Sequence, residues 1–164
     1  MMVQICVAKK QGASGPLYLN FSIMNIVPVT QNNFSSALNL LKINQLPTED
    51  ISETTKLFVL EDEQNIRGTI AIEYSGKEGL LRSLSVDENK RNNGYGKTLV
   101  GFIEKFASEQ GVKNLYLLTT TAESFFAGKA YVKVERNSIP EFIRESSEFS
   151  SVCPSSAVVM KKVL

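Results

Sequence analysis

The sequence predicts an α/β (α+β) fold in one domain, in which strands and helices alternate around a single sheet. Short apolar segments with strand periodicity are separated by longer segments whose apolar residues recur every three or four positions. The chain has 164 residues, enough for one domain with a real core but too few for two comfortable ones. Apolar residues make up 43% and charged residues 21% of the chain, as in ordinary globular proteins.

The strand and helix signals follow a definite order from Met24. We expect strands at residues 25–30, 56–61, 67–74, 80–86, 114–119, 132–135 and 157–160. We expect one helix capped by Asn33 and ending before Pro47, a short one at 48–53, a long one after residue 94, and two more at 122–130 and from Pro140. Residues 1–23 are expected to be an N-terminal extension, either an extra hairpin or disordered, ahead of a domain formed by residues 24–164.

The most informative segment, residues 80–99, predicts a strand, a tight turn and a helix. Leu80, Leu84 and Val86 share one parity, which indicates a half-buried strand of period two. After a polar turn, Gly94 and Gly96 precede a helix whose apolar face is formed by residues 99, 102, 103 and 106. The two glycines therefore lie at the start of a helix.

This helix start predicts an anion site. The first N–H groups of a helix have no partner within it, and the helix dipole adds partial positive charge there. Lys90, Arg91 and Lys97 surround the turn, and a phosphate group is their expected common partner. A plain strand-to-helix turn, with glycines for tightness and charges for solubility, is the alternative.

Charge and composition exclude several functions. The formal net charge of +1 predicts no nucleic-acid partner and no anionic-membrane partner, and no apolar run reaches the ~20 residues of a membrane helix. The two cysteines, Cys6 and Cys153, form no metal or disulfide pattern and indicate a reducing cytoplasm. Because the chain has no histidine, we expect no metal site, and catalysis must rest on carboxylates, hydroxyls, a thiol or water.

The turn resembles the pyrophosphate-binding segment R-x-x-G-x-G/A of the GNAT superfamily of N-acetyltransferases, and the order of elements over residues 24–164 is similar to that superfamily. The resemblance implies the acyl-CoA N-acyltransferase fold, a central mixed, mostly antiparallel twisted sheet flanked by helices. It also implies acetyl-CoA as co-substrate. The implied cofactor-binding residues are Arg91, Asn92, Asn93, Gly94, Tyr95, Gly96 and Lys97 at the pyrophosphate, the backbone of Leu84, Ser85 and Val86 along the pantetheine arm, and Phe126.

A second block resembles a narrower branch. Residues 115–126, Pro140, Cys153-Pro154 and the segment around Ala157 are similar to arsenic-resistance N-acetyltransferases and, more distantly, to the acetyltransferase domain of N-acetylglutamate synthase. This resemblance implies acetyl transfer by direct attack of the amine of a small amino acid or amino-acid-like acceptor, organoarsenicals included. Whether the protein forms a homodimer stays open.

This sequence differs from many members of the superfamily at the position of the general acid. Many members place a tyrosine, which protonates the leaving thiolate, where this chain has Phe126. Thr119 and Thr120 are therefore the candidate proton donors, with backbone pairing at a strand end as the alternative. Glu73 or Glu78 is the candidate general base, acting through water, and Glu78 is the one included in the predicted site; a solvated surface carboxylate is the alternative.

Arg82 is expected to bind the acceptor, because a guanidinium forks onto a carboxylate or an arsenic or phosphorus oxyanion in two parallel bonds. Ser83 is expected to assist, and pairing of Arg82 with Glu73 or Glu78 across the sheet is the alternative. Two other functions stay open. One is a non-catalytic acyl-CoA-binding module, and the other is an acetyltransferase for glutamate, protein or aminoglycoside amines.

Overall fold

The computed structural model describes residues 3–8, 21–62 and 65–164. The strands are β1 (Val3–Ala8), β2 (Phe21–Pro28), β3 (Lys56–Asp62), β4 (Asn65–Ser75), β5 (Glu78–Val86), β6 (Asn114–Thr119), β7 (Val132–Lys133) and β8 (Val158–Val163). The helices are α1 (Gln31–Ile43), α2 (Tyr95–Glu109), α3 (Glu123–Ala127) and α4 (Glu141–Glu145). Two 3₁₀ turns, Glu88–Lys90 and Arg136–Ser138, and a π-helical turn, Glu148–Val152, complete the described elements.

These eight strands form one mixed sheet in the order β1-β2-β3-β4-β5-β6-β8-β7. The neighbouring strands are antiparallel except β5 and β6, which are parallel. Antiparallel neighbours need only short connections, whereas a parallel pair needs a crossover. Helix α2 makes that crossover from β5 to β6.

Helices cover both faces of the sheet. On one face α2 buries Leu99, Val100 and Ile103 against β4 and β5. On the other face α1 buries Ala37 against β3 and β4, and α4 buries Ile143 against β5, β6 and β8. Within the described ranges, no helix has the length and apolar character needed to cross a bilayer.

A β-bulge interrupts β5 at Ser83. Ala71 pairs with Arg82 and Thr69 with Ser85, so β5 has one more residue than β4 over this interval. The extra residue reverses the alternation of side chains. Leu80 consequently packs in the cluster beside α4, whereas Leu84 and Val86 pack on the α2 side. The predicted strand is present, but the expectation from period two that Leu80, Leu84 and Val86 share one face of the sheet is wrong.

Most predicted elements are present, with shifted ends. Thr30 rather than Asn33 is the N-cap of α1, and Asn33 accepts a hydrogen bond from the Thr30 N–H at 2.7 Å. The short helix predicted at 48–53 is wrong: those residues form turns, and the Asp50 side chain is drawn into a buried ion pair instead. The predicted helix at 122–130 ends at Ala127, and the predicted strand at 132–135 ends at Lys133.

The N-terminal extension is described in part. Strand β1 pairs antiparallel with β2, and the two make a hairpin whose connection lies outside the described residues. Strand β2 continues through residue 24 without interruption. The division of the chain at residues 23 and 24 stays a prediction, and it falls within a strand.

Gly68 of β4 lies where α2 packs most closely on the sheet. A Cβ at this position would lie 2.7 Å from Leu99 Cδ1 and 3.0 Å from the carbonyl oxygen of Ser85. We expect Gly68→Ala to lower the free energy of unfolding by about 1–3 kcal/mol, measured by urea denaturation, because it overpacks this contact. Gly101→Ala on the exposed side of α2 is the matched control, since its Cβ would meet no atom within 4 Å. It should raise stability by up to about 1 kcal/mol, and an equal loss from both substitutions would contradict the packing.

Candidate active site

The site begins where β5 and β6 separate. The two strands pair only through residues 78–80 and 114–116, and beyond Leu80 the described part of β5 pairs with β4 alone. The divergence opens a cavity of about 330 Å³. Its lining comes from β5, β6, the loop after α1 and the segment before β8, and includes Arg82, Ser83, Leu84, Thr119, Thr120, Thr121, Phe126, Glu148 and Cys153.

The bulge places β5 backbone at this opening. Ser83 has φ 54°, in the left-handed region, and its carbonyl accepts a hydrogen bond from Thr69 Oγ1 at 2.9 Å. The next residues, Leu84, Ser85 and Val86, lie along the strand edge that β6 leaves. Ser85 Oγ is buried and has no hydrogen-bond partner among the described residues. An edge of backbone groups next to an unsatisfied hydroxyl is suited to an extended ligand with amide groups.

The turn between β5 and α2 presents free N–H groups. Gly94, the N-cap of α2, has φ 84°, and Asn92 has φ 65°. The first helical bond runs from the Thr98 N–H to the Gly94 carbonyl at 3.0 Å. The N–H groups of Tyr95, Gly96 and Lys97 therefore have no acceptor within the helix. Its first turn contains no acidic residue, so nothing there competes with an anion.

The cations around this turn have different roles. Arg91 and Lys97 are exposed, and Arg91 donates a hydrogen bond to the side-chain oxygen of Asn44. Lys90 instead lies 4.0 Å from the Asp62 carboxylate. Lys129 reaches across from the end of α3 to the Lys97 carbonyl, at 3.4 Å. Sequence reasoning missed Lys129, because its position depends on how α3 packs beside α2.

Tyr95 does not place its ring at the anion turn. The side chain is 7% exposed within the core, and its hydroxyl donates to Asp62 at 3.4 Å. Only the Tyr95 backbone is therefore available to a ligand. A Cβ at Gly96 would make an ordinary van der Waals contact with the Phe125 ring, at 3.5 Å. Phe126 is buried in the core and is also one of the residues that line the cavity.

Thr119, Thr120 and Thr121 lie together at the end of β6 and line the cavity. Thr119 Oγ1 accepts hydrogen bonds from the N–H groups of Ala122, at 2.9 Å, and Thr121, at 3.4 Å. Backbone pairing, the alternative considered for these residues, is thus present at Thr119. Its hydroxyl proton is still available to donate, and the predicted role as proton donor stays a prediction for Thr119 and Thr120.

Arg82 lies at the centre of a buried ion cluster. The residue is 3% exposed, and its guanidinium pairs with Asp50, with Glu73 at 2.7 Å and with Glu148 at 3.0 Å. Burial alone would lower the pKa of Arg82, but these three carboxylates outweigh it and raise that pKa. The pairing with Glu73 considered as an alternative is present. All three guanidinium nitrogens are engaged, so the free fork expected for the acceptor is absent, and acceptor binding by Arg82 stays a prediction.

Glu78 lies away from the cavity. It is at the start of β5, where its carboxylate accepts a hydrogen bond from Asn114 Nδ2 at 3.0 Å, and it is not among the cavity-lining residues. Glu73 is held behind Arg82, where Thr55 also donates to it at 2.8 Å. Both carboxylates thus lie outside the cavity lining, and the predicted role of Glu78 as general base stays a prediction.

The carboxylate that does line the cavity is Glu148. Burial raises its pKa from 4.5 to about 7; the Arg82 charge opposes this shift, and Asp50 and Glu73 add to it. Cys153 Sγ lies 3.8 Å from Glu148 Oε1, and burial raises the pKa of this thiol to about 11. Sequence reasoning missed Glu148, since no periodicity distinguishes it from the exposed Glu141 and Glu145 nearby.

Comparison with known proteins agrees with this architecture. The sequence pattern of the Acetyltransferase (GNAT) family matches residues 30–134. The chain belongs to this family. An N-acetylglutamate synthase from Neisseria gonorrhoeae, solved with coenzyme A and N-acetyl-glutamate, superposes with a TM-score of 0.73 at 19% identity, over 86% of this chain and 35% of that chain. The GNAT fold predicted from the sequence is thereby confirmed.

Two curated relatives resemble part of this GNAT chain. An uncharacterized N-acetyltransferase of Chlorobaculum tepidum is 34% identical over 94 residues, which are 57% of this chain and 60% of the relative. An amino-acid acetyltransferase of Ralstonia nicotianae is 30% identical over 107 residues, 64% of this chain and 23% of the relative. The chain thus spans less than two thirds of either relative. Neither name distinguishes arsenic-resistance enzymes from other members, so that part of the resemblance stays a prediction.

Removing the central cation tests the buried cluster. Arg82→Leu leaves three carboxylates without their partner, and we expect it to lower the free energy of unfolding by about 3–5 kcal/mol. Arg67→Leu is the control, because the Arg67–Asp87 pair, at 3.0 Å, leaves Arg67 25% exposed and should contribute less than about 1 kcal/mol. Urea denaturation of both variants measures the difference. Similar losses from the two would show that burial of Arg82 is not a central constraint.

Proposed function

We propose that this protein is an N-acetyltransferase that moves an acetyl group from acetyl-CoA to the amine of a small acceptor. The observation that carries the proposal is the continuity of β5, the turn and α2. One strand supplies the bulged edge of the cavity and leads directly into a helix start suited to phosphate. Membership of the GNAT family supports the same reaction class.

The residues present fit acetyl-CoA. The N–H groups of Tyr95, Gly96 and Lys97, together with Asn92, Asn93 and Gly94 of the turn, would hold the pyrophosphate, with Arg91 and Lys97 adding charge. The edge formed by Leu84, Ser85 and Val86 would hold the pantetheine arm, and Phe126 would face it from the cavity wall. Bound acetyl-CoA supplies an activated acetyl thioester.

The acceptor we propose is an amino acid or an amino-acid-like amine. The cavity of about 330 Å³ is sized for a small molecule, and the names of the Ralstonia and Neisseria relatives support an amino acid. Organoarsenical amino acids belong to the same chemical class and are therefore worth testing. A cytoplasmic location and a homodimer are further expectations, and the proposed chemistry depends on neither.

Direct attack is the reaction course that the side chains favour. The Cys153 thiol stays protonated at neutral pH because its pKa is raised to about 11, so it is a poor nucleophile for a covalent acyl intermediate. The cavity instead orients the amine, and backbone N–H groups of the β5 edge are suited to a developing oxyanion. The Thr119 hydroxyl is the proton donor we propose.

Acetyl-CoA consumption tests the activity directly. The loss of thioester absorbance would be followed with L-glutamate, the other proteinogenic amino acids, and arsenic- and phosphorus-bearing amino acids. We expect turnover with at least one class, and acetyl-CoA should raise the melting temperature as a native-state ligand. A raised melting temperature without turnover would identify a binding module instead, and the absence of both effects would refute the proposal.

The phosphate site can be tested with two matched glycines. Gly94 and Gly111 have φ 84° and 87°, and a Cβ on either would meet no atom within 4 Å. Gly94→Asp places negative charge at the N-terminus of α2 and should weaken acetyl-CoA binding at least about tenfold in calorimetry. Gly111→Asp, with similar backbone strain beyond the other end of the helix, should leave the affinity unchanged. Equal affinities in both variants would remove the turn from the cofactor site.

A further inference from the structure

Glu148 combines burial, cavity access and an unsatisfied oxygen. The residue is 9% exposed and begins the π-helical turn Glu148–Val152, a feature that is frequent at functional sites. It lines the cavity together with Arg82, Thr119 and Cys153. Its Oε2 lies 3.0 Å from Arg82 Nε but outside hydrogen-bond geometry, and it accepts no hydrogen bond from any residue of the described chain. Apart from the ionic contact with Arg82, this buried oxygen has no partner among the described residues, so the Glu148 carboxylate keeps unused capacity to accept a polar hydrogen from a ligand in the cavity.

The charges that face Glu148 come from several elements. Arg82 is on β5, Glu73 on β4, Asp50 in the loop after α1, and the neutral Cys153 follows the π-helical turn. Thr55 donates a hydrogen bond to Glu73 at 2.8 Å, and Ser147 donates one to Asp50 at 2.9 Å. One cation thus faces three carboxylates, so the cluster has an excess of acidic groups, and Glu148 is the one of the three that lines the cavity.

We propose that Glu148 is the general base that removes a proton from the ammonium group of the acceptor. The proposal rests on the acetyltransferase function proposed above. An ammonium donates three hydrogen bonds and carries the charge that the cluster lacks, so the same carboxylate first binds the acceptor and then takes its proton. Asp50 and Glu73 are positioning residues, because they hold the two terminal guanidinium nitrogens of Arg82 and leave only its Nε beside Glu148.

The proton balance is simple. One N–H bond of the ammonium breaks and an O–H bond forms on Glu148, while the electron pair stays on nitrogen and makes it nucleophilic. Thr119 donates its hydroxyl proton to the leaving thiolate, and the second proton, which the amine loses as the amide forms, restores the Thr119 hydroxyl. Glu148 then releases its own proton to solvent through the open side of the cavity. No oxidant, reductant or further reactant is needed.

The protonation of Glu148 suits this role. Its pKa of about 7 leaves a large share of the side chain ionised at neutral pH and able to accept a proton. In a chain without histidine, this environment supplies a near-neutral base by burial of a carboxylate. A carboxylate of ordinary pKa would be a weaker base toward an ammonium.

The pH dependence of kcat/KM tests the assignment, using the panel amine with the highest kcat/KM. The wild type should show a bell, with an ascending limb near pH 7 for Glu148 and a descending limb at the pKa of the acceptor ammonium. Glu148→Gln should lower kcat/KM at the plateau by about 10²–10⁴-fold and abolish the ascending limb near 7. Its remaining activity should rise only as the free amine forms in solution. Glu145→Gln, on the exposed face of α4, is the matched control and should keep the wild-type profile.

Glu73→Gln provides a second readout that does not remove Glu148. The substitution takes away a negative charge that raises the pKa of Glu148, so the ascending limb should move to lower pH.

The pH dependence of folding stability provides a further check. The raised pKa means that folded Glu148 binds a proton that the unfolded chain releases between about 4.5 and 7, so this group lowers stability as pH rises through that window. The melting temperature of Glu148→Gln should therefore rise relative to that of the wild type as the pH increases from about 4.5 to 7.

The outcomes separate this proposal from the activity itself. If the wild type acetylates an amine and Glu148→Gln keeps both its rate and its limb near pH 7, Glu148 is not the base while the acetyltransferase stands. An unmoved limb in Glu73→Gln leads to the same conclusion if Glu148→Gln does not fold. If the wild type turns over no panel amine, the proposed function fails and this assignment fails with it. Calorimetry with acetyl-CoA should give equal affinities for the wild type and Glu148→Gln.

Discussion

The buried guanidinium of Arg82 constrains the acceptor side of this structure. A cation at 3% exposure is costly unless carboxylates surround it, and a buried pair is stable only with good geometry and further hydrogen bonds. Here the carboxylates come from the loop after α1, from β4 and from the π-helical turn before β8. The cluster therefore joins two irregular segments to the sheet.

The bulge at Ser83 allows one strand to serve two faces. Before it, Leu80 packs on the α4 side of the sheet; after it, Leu84 and Val86 pack on the α2 side. A regular strand would keep all three on one face. Because β6 has already separated from β5 at this point, the reversal occurs where the backbone edge is open. The ion cluster and the edge proposed for the cofactor thus meet at the same cavity from opposite sides.

Local signals in the sequence predicted much of the fold, including the turn before α2. Strand periodicity located β3 to β6, and the spacing of Arg91, Gly94 and Gly96 located the start of α2. What the sequence did not reveal depends on distant contacts. The bulge depends on how β5 fits against β4. The inward orientation of the Tyr95 ring depends on a buried contact with Asp62. The position of Glu148 depends on its contact with Arg82. None of these contacts leaves a periodic pattern in the chain.

The absence of histidine from this chain connects stability with the proposed chemistry. No side chain here has an ordinary pKa near 7, so a near-neutral proton acceptor must be made by its surroundings. Burial and the charges of Asp50 and Glu73 raise the pKa of Glu148, while Arg82 keeps the rise moderate. A fully buried carboxylate without the cation would stay protonated, and a solvated one would be too weak a base. The cluster that joins the loops to the sheet therefore also sets the protonation of Glu148, the carboxylate that lines the cavity among the described residues.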